Sequence, residues 1–194
     1  MTTEAQSQSN YPTRLNIDYV GTGRNRLTTF FRIMTAIPIL LVISAFQNAT
    51  VVIPTLLMIL FRQKYPRWWF DFNIEYQRFS IRIYAYLSLL TDEYPSADGA
   101  QGVQLEIDYP DVSQLNRFLP LFKWILAIPH YVVLAILGSI SIILIVVAWF
   151  IILFTGSFPK GIHNFIVGVN RWTVRVTAYA FLLTTDTYPP FSLD

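Results

Sequence analysis

Residues 118–154 read FLPLFKWILAIPHYVVLAILGSISIILIVVAWFIILF. Lys123 and His130 are the only basic side chains in this stretch, it holds no acid, and its last 24 residues carry neither. As one straight helix it would extend roughly 55 Å, against about 30 Å of bilayer hydrocarbon. It is too apolar for the surface helix of a soluble protein and too long for one simple crossing, so it marks a membrane protein.

The rest of the composition agrees. The 194-residue chain is 54% hydrophobic and only 13% charged, outside the ordinary soluble range. A net charge of +2 with no dense basic face excludes nucleic acid as a partner. The absence of cysteine excludes disulfides, thiolate catalysis and cysteine-ligated metals. The opening residues, MTTEAQSQSN, have neither a basic n-region nor an apolar core, so no cleaved signal peptide is expected. Residues 1–10 read as a polar, disordered tail.

Working outward, the long stretch is the second copy of something. LNIDY at 15–19 returns as LEIDY at 105–109, Asn25-Arg26 as Asn116-Arg117, and Ala36-Ile37-Pro38 as Ala127-Ile128-Pro129. Tyr65-Pro66 matches Phe158-Pro159, Arg78 and Arg82 match Arg171 and Arg175, and Tyr86 matches Tyr179. The TDEYP ending at Pro95 returns as the TDTYP ending at Pro189. Similar composition explains two apolar runs but not ordered matches of Arg, Asp and Tyr-Pro, so the chain is a tandem repeat with units at 11–97 and 98–194.

Each unit opens with a half-buried strand, because Leu15, Ile17 and Tyr19 alternate with Arg14, Asn16 and Asp18, and Leu105, Ile107 and Tyr109 with Gln104, Glu106 and Asp108. Phe191 and Leu193 offer a third strand at the end of the chain. A small sheet of this kind must lie outside the bilayer, where its edges can be hydrated. An apolar segment follows in each unit, at 27–61 and 118–156, kinked early by Pro38 or Pro129 and softened midway by Gln47–Thr50 or Gly138–Ser141. Two geometries compete, a helical hairpin turning at the soft positions and a single crossing. Single crossings divide the fourteen Lys and Arg evenly between the two sides, whereas hairpins leave all of them on one side. The positive-inside rule therefore favours hairpins with both termini cytoplasmic.

Beyond each apolar segment lies an amphipathic element, 71–90 and 164–184. In the first, Asp71, Glu75, Arg78, Arg82 and Tyr86 share a helical face; Asn164, Arg171, Arg175 and Tyr179 repeat the stripe. Period-two alternation in RFSIRIYAYLSLL is the competing strand reading, and helix is preferred. Trp68, Trp69 and Trp172 suit headgroup depth.

Candidate chemistry is sparse. The chain has no phosphate-cradling glycine loop, no HExxH and no nucleophile elbow, and two histidines without cysteine make no zinc site. The expectation is no cofactor, no metal and no catalysis. His130, in an apolar run, is the intramembrane polar candidate; a neutral imidazole bonded to a carbonyl freed by Pro129 is preferred over a proton carrier. Arg32 and Lys123 precede the matching prolines by six residues and read as snorkelling cations at headgroup depth. The pairs Arg78/Arg82 and Arg171/Arg175 either grip lipid phosphates or pair internally with Asp92, Asp186 or strand acids, and the two readings stand level. Asp92 and Asp186 read as turn-makers rather than catalysts.

The strings AIPH (127–130), AWFIILFTGSFPKG (148–161) and RWTVRVTAYAFLLTTDTYPPFSL (171–193) resemble a bacterial membrane family known as the domain of unknown function number 4389. Its unit is about one repeat long, so the resemblance covers 11–194 as two copies. The first departs from the pattern at Gln47–Thr50, Gln63-Lys64 and Arg67-Trp68-Trp69. The resemblance supports the repeat and a membrane placement and implies no activity. The expected fold is thus a mainly α membrane protein, a tandem repeat of apolar hairpin plus interfacial amphipathic element, with short strands outside the bilayer. The expected function is that of an accessory or scaffold module in the bacterial cytoplasmic membrane, with lipids and a membrane complex or a second copy as partners. A small-solute channel and an intramembrane lipid-modifying enzyme are the alternatives.

Overall fold

A computed structural model of the protein describes residues 11–44, 48–97 and 101–194. The alternating segments form two strands, β1 (Thr13–Ile17) and β2 (Val103–Ile107), each two residues ahead of its expected position and of unchanged parity. They pair antiparallel with Leu15 opposite Leu105. These two residues are equivalents in the repeat, so a pseudo-two-fold axis passes between them, perpendicular to the ladder. Residues directly opposite in an antiparallel pair point to the same face. Here that face is the buried one, with Thr13, Leu15, Ile17, Val103, Leu105 and Ile107 all under 9% exposed.

The helices are α1 (Arg26–Phe30), α2 (Arg32–Ser44), α3 (Asn48–Leu57) running into a π-helical turn at Met58–Arg62, α4 (Arg67–Leu87), α5 (Pro120–Leu126), α6 (Ile128–Thr155) and α7 (Lys160–Ala180). The chain is therefore mostly helical with a small two-stranded sheet. The amphipathic elements are the helices α4 and α7, as the 3.6-residue stripe indicated. Neither run contains proline, and burial outweighs the propensity loss at the β-branched residues and, in α7, at Gly161 and Gly168.

The elements stack in three layers. β1 runs antiparallel along α7: the Tyr11 hydroxyl donates to the carbonyls of Arg175 (3.3 Å) and Thr187, and the Tyr19 hydroxyl donates to the Phe158 carbonyl at 2.6 Å. On its other side α7 packs against α6, also antiparallel. Residues 156–159 join the two, and His130 and Tyr131 at the start of α6 meet Trp172 of α7 and Phe181 just beyond its end. The first repeat follows the same plan. Tyr109 donates to the Tyr65 carbonyl, Thr35 of α2 bonds Tyr86 near the end of α4, and Trp69 near its start donates to Thr55 of α3. Each strand thus packs on the long helix of the other repeat, α7 on β1 and α4 on β2.

Three expectations are corrected. The hairpin expected over 118–156 does not form, because α6 runs unbroken through Gly138–Ser141. The hydroxyls of Ser139 and Ser141 bond back to the carbonyls of Ala135 and Leu137, so these residues are satisfied within a helix and no turn is needed. Pro129 sits in the first turn of α6, where its missing N–H costs nothing, and the break falls before it at Ala127. In the first unit Asn48–Thr50 are helical, and Gln47 lies outside the described residues, as does the tail 1–10. The third strand is absent among the described residues. Phe191 instead stacks on the His130 ring at 4.0 Å, and the Ser192 carbonyl is taken by Arg175, which leaves the last residues no free backbone edge to pair.

The register is testable because the protein has no cysteine of its own. Asn16 and Gln104 face each other on the outer side of the ladder, at a separation of roughly 5.5 Å that suits a disulfide. Asn16→Cys with Gln104→Cys should cross-link on mild oxidation, seen as a mobility shift on non-reducing gels. Asn16→Cys with Glu106→Cys should not.

Candidate functional site

The polar side chains that the sequence singles out fall into two sets, each present twice about the pseudo-two-fold axis. The first set closes the ladder edges. Asp18 donates its N–H to the Gly102 carbonyl and Asp108 to that of Pro12, so positions 12, 14, 16 and 18 form the hydrogen-bonded pairs. The intervening Leu15–Leu105 pair therefore aims its carbonyls outward, away from the partner strand. Arg171 Nε donates to the Leu15 carbonyl and Arg78 Nε to that of Leu105, each at 3.0 Å. One turn further on, the buried Arg82 donates to Ser96 (2.9 Å), and Arg175 to Ser192. Burial draws the Arg175 guanidinium below the ordinary arginine range, with nearby Tyr11 acting the other way, and the same burial pushes the Tyr11 hydroxyl well up.

The second set anchors the turn after each long helix. Lys123, fully buried, reaches the Asp186 carboxylate and the Thr185 carbonyl, both at 2.7 Å, and lies 5.1 Å from the centre of the Tyr179 ring. Arg32 repeats this with Asp92, the Thr91 carbonyl (2.7 Å) and the Tyr86 ring (4.4 Å). Both carboxylates also accept a backbone N–H at the start of their own repeat's apolar segment, Asn25 to Asp92 and Asn116 to Asp186. Asn25 and Asn116 in turn accept the N–H groups two and three residues on. This is the capping geometry that asparagine favours at a helix start. To deliver the Thr-Asp pair the chain passes through a left-handed leucine in each repeat, Leu89 at φ 65° and Leu183 at φ 59°. Such a backbone at a bulky residue costs on the order of 1–3 kcal/mol and persists only where its surroundings fix it.

Asp92 and Asp186 are thus turn-makers, as their sequence context suggests, and salt-bridge partners as well. Their cations are Arg32 and Lys123 rather than the arginine pairs. The structure gives every one of Arg32, Arg78, Arg82, Lys123, Arg171 and Arg175 an internal partner. His130 is buried and accepts the Trp172 indole N–H at Nδ1 (3.0 Å) instead of meeting a carbonyl freed by Pro129. Arg24 escapes sequence reasoning because the second repeat has Leu115 in its place, so no repeat match flags it. It is buried, donates to the Leu90 carbonyl at 2.6 Å and lies 3.5 Å from Asp92. Burial lowers its pKa and Asp92 pulls it back. Tyr19 and Tyr109, expected in the strands, lie just past β1 and β2, and no sequence signal marks their hydroxyl contacts across the repeats. Among the described residues no three His, Asp or Glu side chains converge as a metal site.

The remaining basic groups are exposed. Arg26, Arg62, Lys64 and Lys160 have no acidic partner among the described residues, and Arg117 donates only to the Gln63 side chain at 3.0 Å. Arg26 lies against Gly156, the left-handed residue that ends α6, as Arg117 lies against Gln63, the left-handed residue that ends the π turn.

Two interlocked copies of one helix-rich unit, each fixed by a buried cation, an aspartate and an arginine pair at equivalent positions, define a tandem-repeat protein. A family model described as "Domain of unknown function (DUF4389)" matches residues 26–97 and again 120–192, and the chain belongs to that family. No curated protein and no solved structure matches it.

The buried Lys123–Asp186 pair predicts an asymmetry. Asp186→Asn strands a fully buried ammonium and should cost about 3–5 kcal/mol. Lys123→Met keeps the stem's volume and leaves Asp186 with a hydrated edge (its side chain is 25% exposed), so it should cost much less. Thermal unfolding in detergent checks this, and equal losses would contradict the assigned geometry.

Proposed function

We propose that the protein is a membrane-integrated, non-enzymatic accessory or scaffold module of the bacterial cytoplasmic membrane, with both termini on the cytoplasmic side. Its work is geometric: it holds an apolar layer in the lipid and a small polar sheet outside it, as a seat for a membrane complex or a second copy. The supporting observation is α6, whose 28 residues include one helical window apolar enough to cross a membrane, of which only 17% is buried. In water so exposed an apolar helix would be an aggregation site. Lipid is the solvent that suits it.

The residues available for headgroups in this reading are Arg26, Arg62, Lys64, Arg117 and Lys160. The arginine pairs are committed to the sheet and the chain turns. Transport and intramembrane catalysis rank lower because the buried cations each hold a turn or a sheet edge, and among the described residues no acid, base and nucleophile are grouped together. Apolar burial in lipid at about 1.5–3 kcal/mol per large side chain amounts to an attachment that salt cannot undo. Membranes bearing the protein should retain it through high salt and alkaline carbonate. Release by salt alone would show that charge holds it, and the integral reading would fall.

A further inference from the structure

We propose that the protein inserts into a single leaflet, with α6 and the α2–α3 segment lying in the plane of the membrane instead of crossing it. The proposal rests on the membrane reading above and concerns how that surface meets the lipid. The layers run in a fixed order, ladder, then α4 and α7, then α2–α3 and α6. The axis through Leu15 and Leu105 is perpendicular to the ladder, so it carries one repeat's apolar helix onto the other's without moving it to the opposite side. The two apolar segments therefore share one face, on which Ile33, Ile37 and Leu41 are exposed from the first repeat and Ile136, Ile143 and Phe150 from the second.

The opposite face is ionic. Arg14 bridges Glu106 (3.3 Å) and Asp108 (3.0 Å) on the outer side of the ladder, and these side chains are 49–68% exposed. β1 runs along α7, and α7 packs against α6, so the three lie side by side. Were α6 to stand upright in the bilayer, α7 and the ladder would stand at the same depth, and this row of charges would face hydrocarbon. Exposed ionic groups at that depth are strongly disfavoured. Laid flat, the same stack puts the charges in water. The apolar layer is one helix thick, about 10 Å, which fits within a single leaflet of about 15 Å of hydrocarbon. The exposed cations fall at the junctions that end the two apolar segments, beside the most protruding aromatics, Phe61 (72% exposed) and Phe154 (78%). That pairing of aromatic ring and free cation matches the boundary between acyl chains and phosphates.

Val132, Ile143 and Phe154 are spaced by eleven residues, so they share one helical face, and all are exposed. Each can be replaced singly by Cys in the full chain, reconstituted in vesicles of phosphatidylglycerol and phosphatidylcholine, and nitroxide-labelled for depth measurement. Glu106→Cys serves as the ladder probe. The proposal expects all three α6 labels at one similar depth within one leaflet, although the outer two lie about 33 Å apart, with the Glu106 label in water. Labels at 132 and 154 near opposite surfaces, with 143 at the midplane, would overturn it. A Glu106 label in water would then indicate an oligomer whose ladders line a lumen. If all three α6 labels were in water, the membrane reading itself would fail, an outcome distinct from either. Three separate positions keep the test decisive should one variant not fold.

Discussion

Everything in this fold depends on two carbonyls that point away from their own sheet. A two-stranded ladder between segments 90 residues apart has no turn to hold it, and such ribbons are marginal in isolation. Among the described residues its Leu15 and Leu105 carbonyls have no strand beyond them. Arg171 and Arg78 supply the missing donors, each from the repeat that does not own the carbonyl it serves. Guanidinium suits this task because its planar fork offers several donors at fixed angles. Once these bonds form, α4 and α7 lie under the ladder and the apolar segments are left on the far side.

Buried ion pairs recur in both copies, each within its own repeat. Burying Arg32 with Asp92 and Lys123 with Asp186 is not by itself a strong source of stability, since desolvation offsets most of the attraction. What these pairs do is fix where the chain turns after each long helix, at the cost of a left-handed leucine, and so bring each Thr-Asp to the start of its apolar segment. Arg24 adds a second cation to the first copy only. The copies are otherwise alike in this layer and differ most in the apolar one, where α6 is unbroken and its counterpart is divided into α2, α3 and a π turn.

The repeat, the helices α4 and α7, the alternation of the strands and the turn-making aspartates were legible from residue patterns, because each rests on local periodicity or on ordered matches. What was not legible depends on hydrogen bonds and on contacts between residues far apart in sequence. Gly138–Ser141 looks like a hairpin turn by composition, and only the back-bonding of its serines shows that it is helix. Phe191 and Leu193 alternate like a strand, but Arg175 and His130 claim that segment first. Arg32 and Lys123 look like snorkelling cations because their acids are some sixty residues away in sequence. The arginine pairs could be read as lipid ligands or as internal donors, and no feature of one chain segment separates those readings.

The stacking order links these details to the proposed membrane role. A ladder with an ionic outer face, a middle pair of helices and an apolar layer define a sidedness, and that sidedness is perpendicular to the helix axes rather than along them. Polarised infrared absorption of the full protein in oriented bilayers reads this directly, since the amide I transition of a helix follows its axis. Leaflet insertion predicts that α4, α6 and α7 together give the dichroism of helices lying parallel to the membrane plane. Dichroism indicating helices aligned with the membrane normal would contradict it.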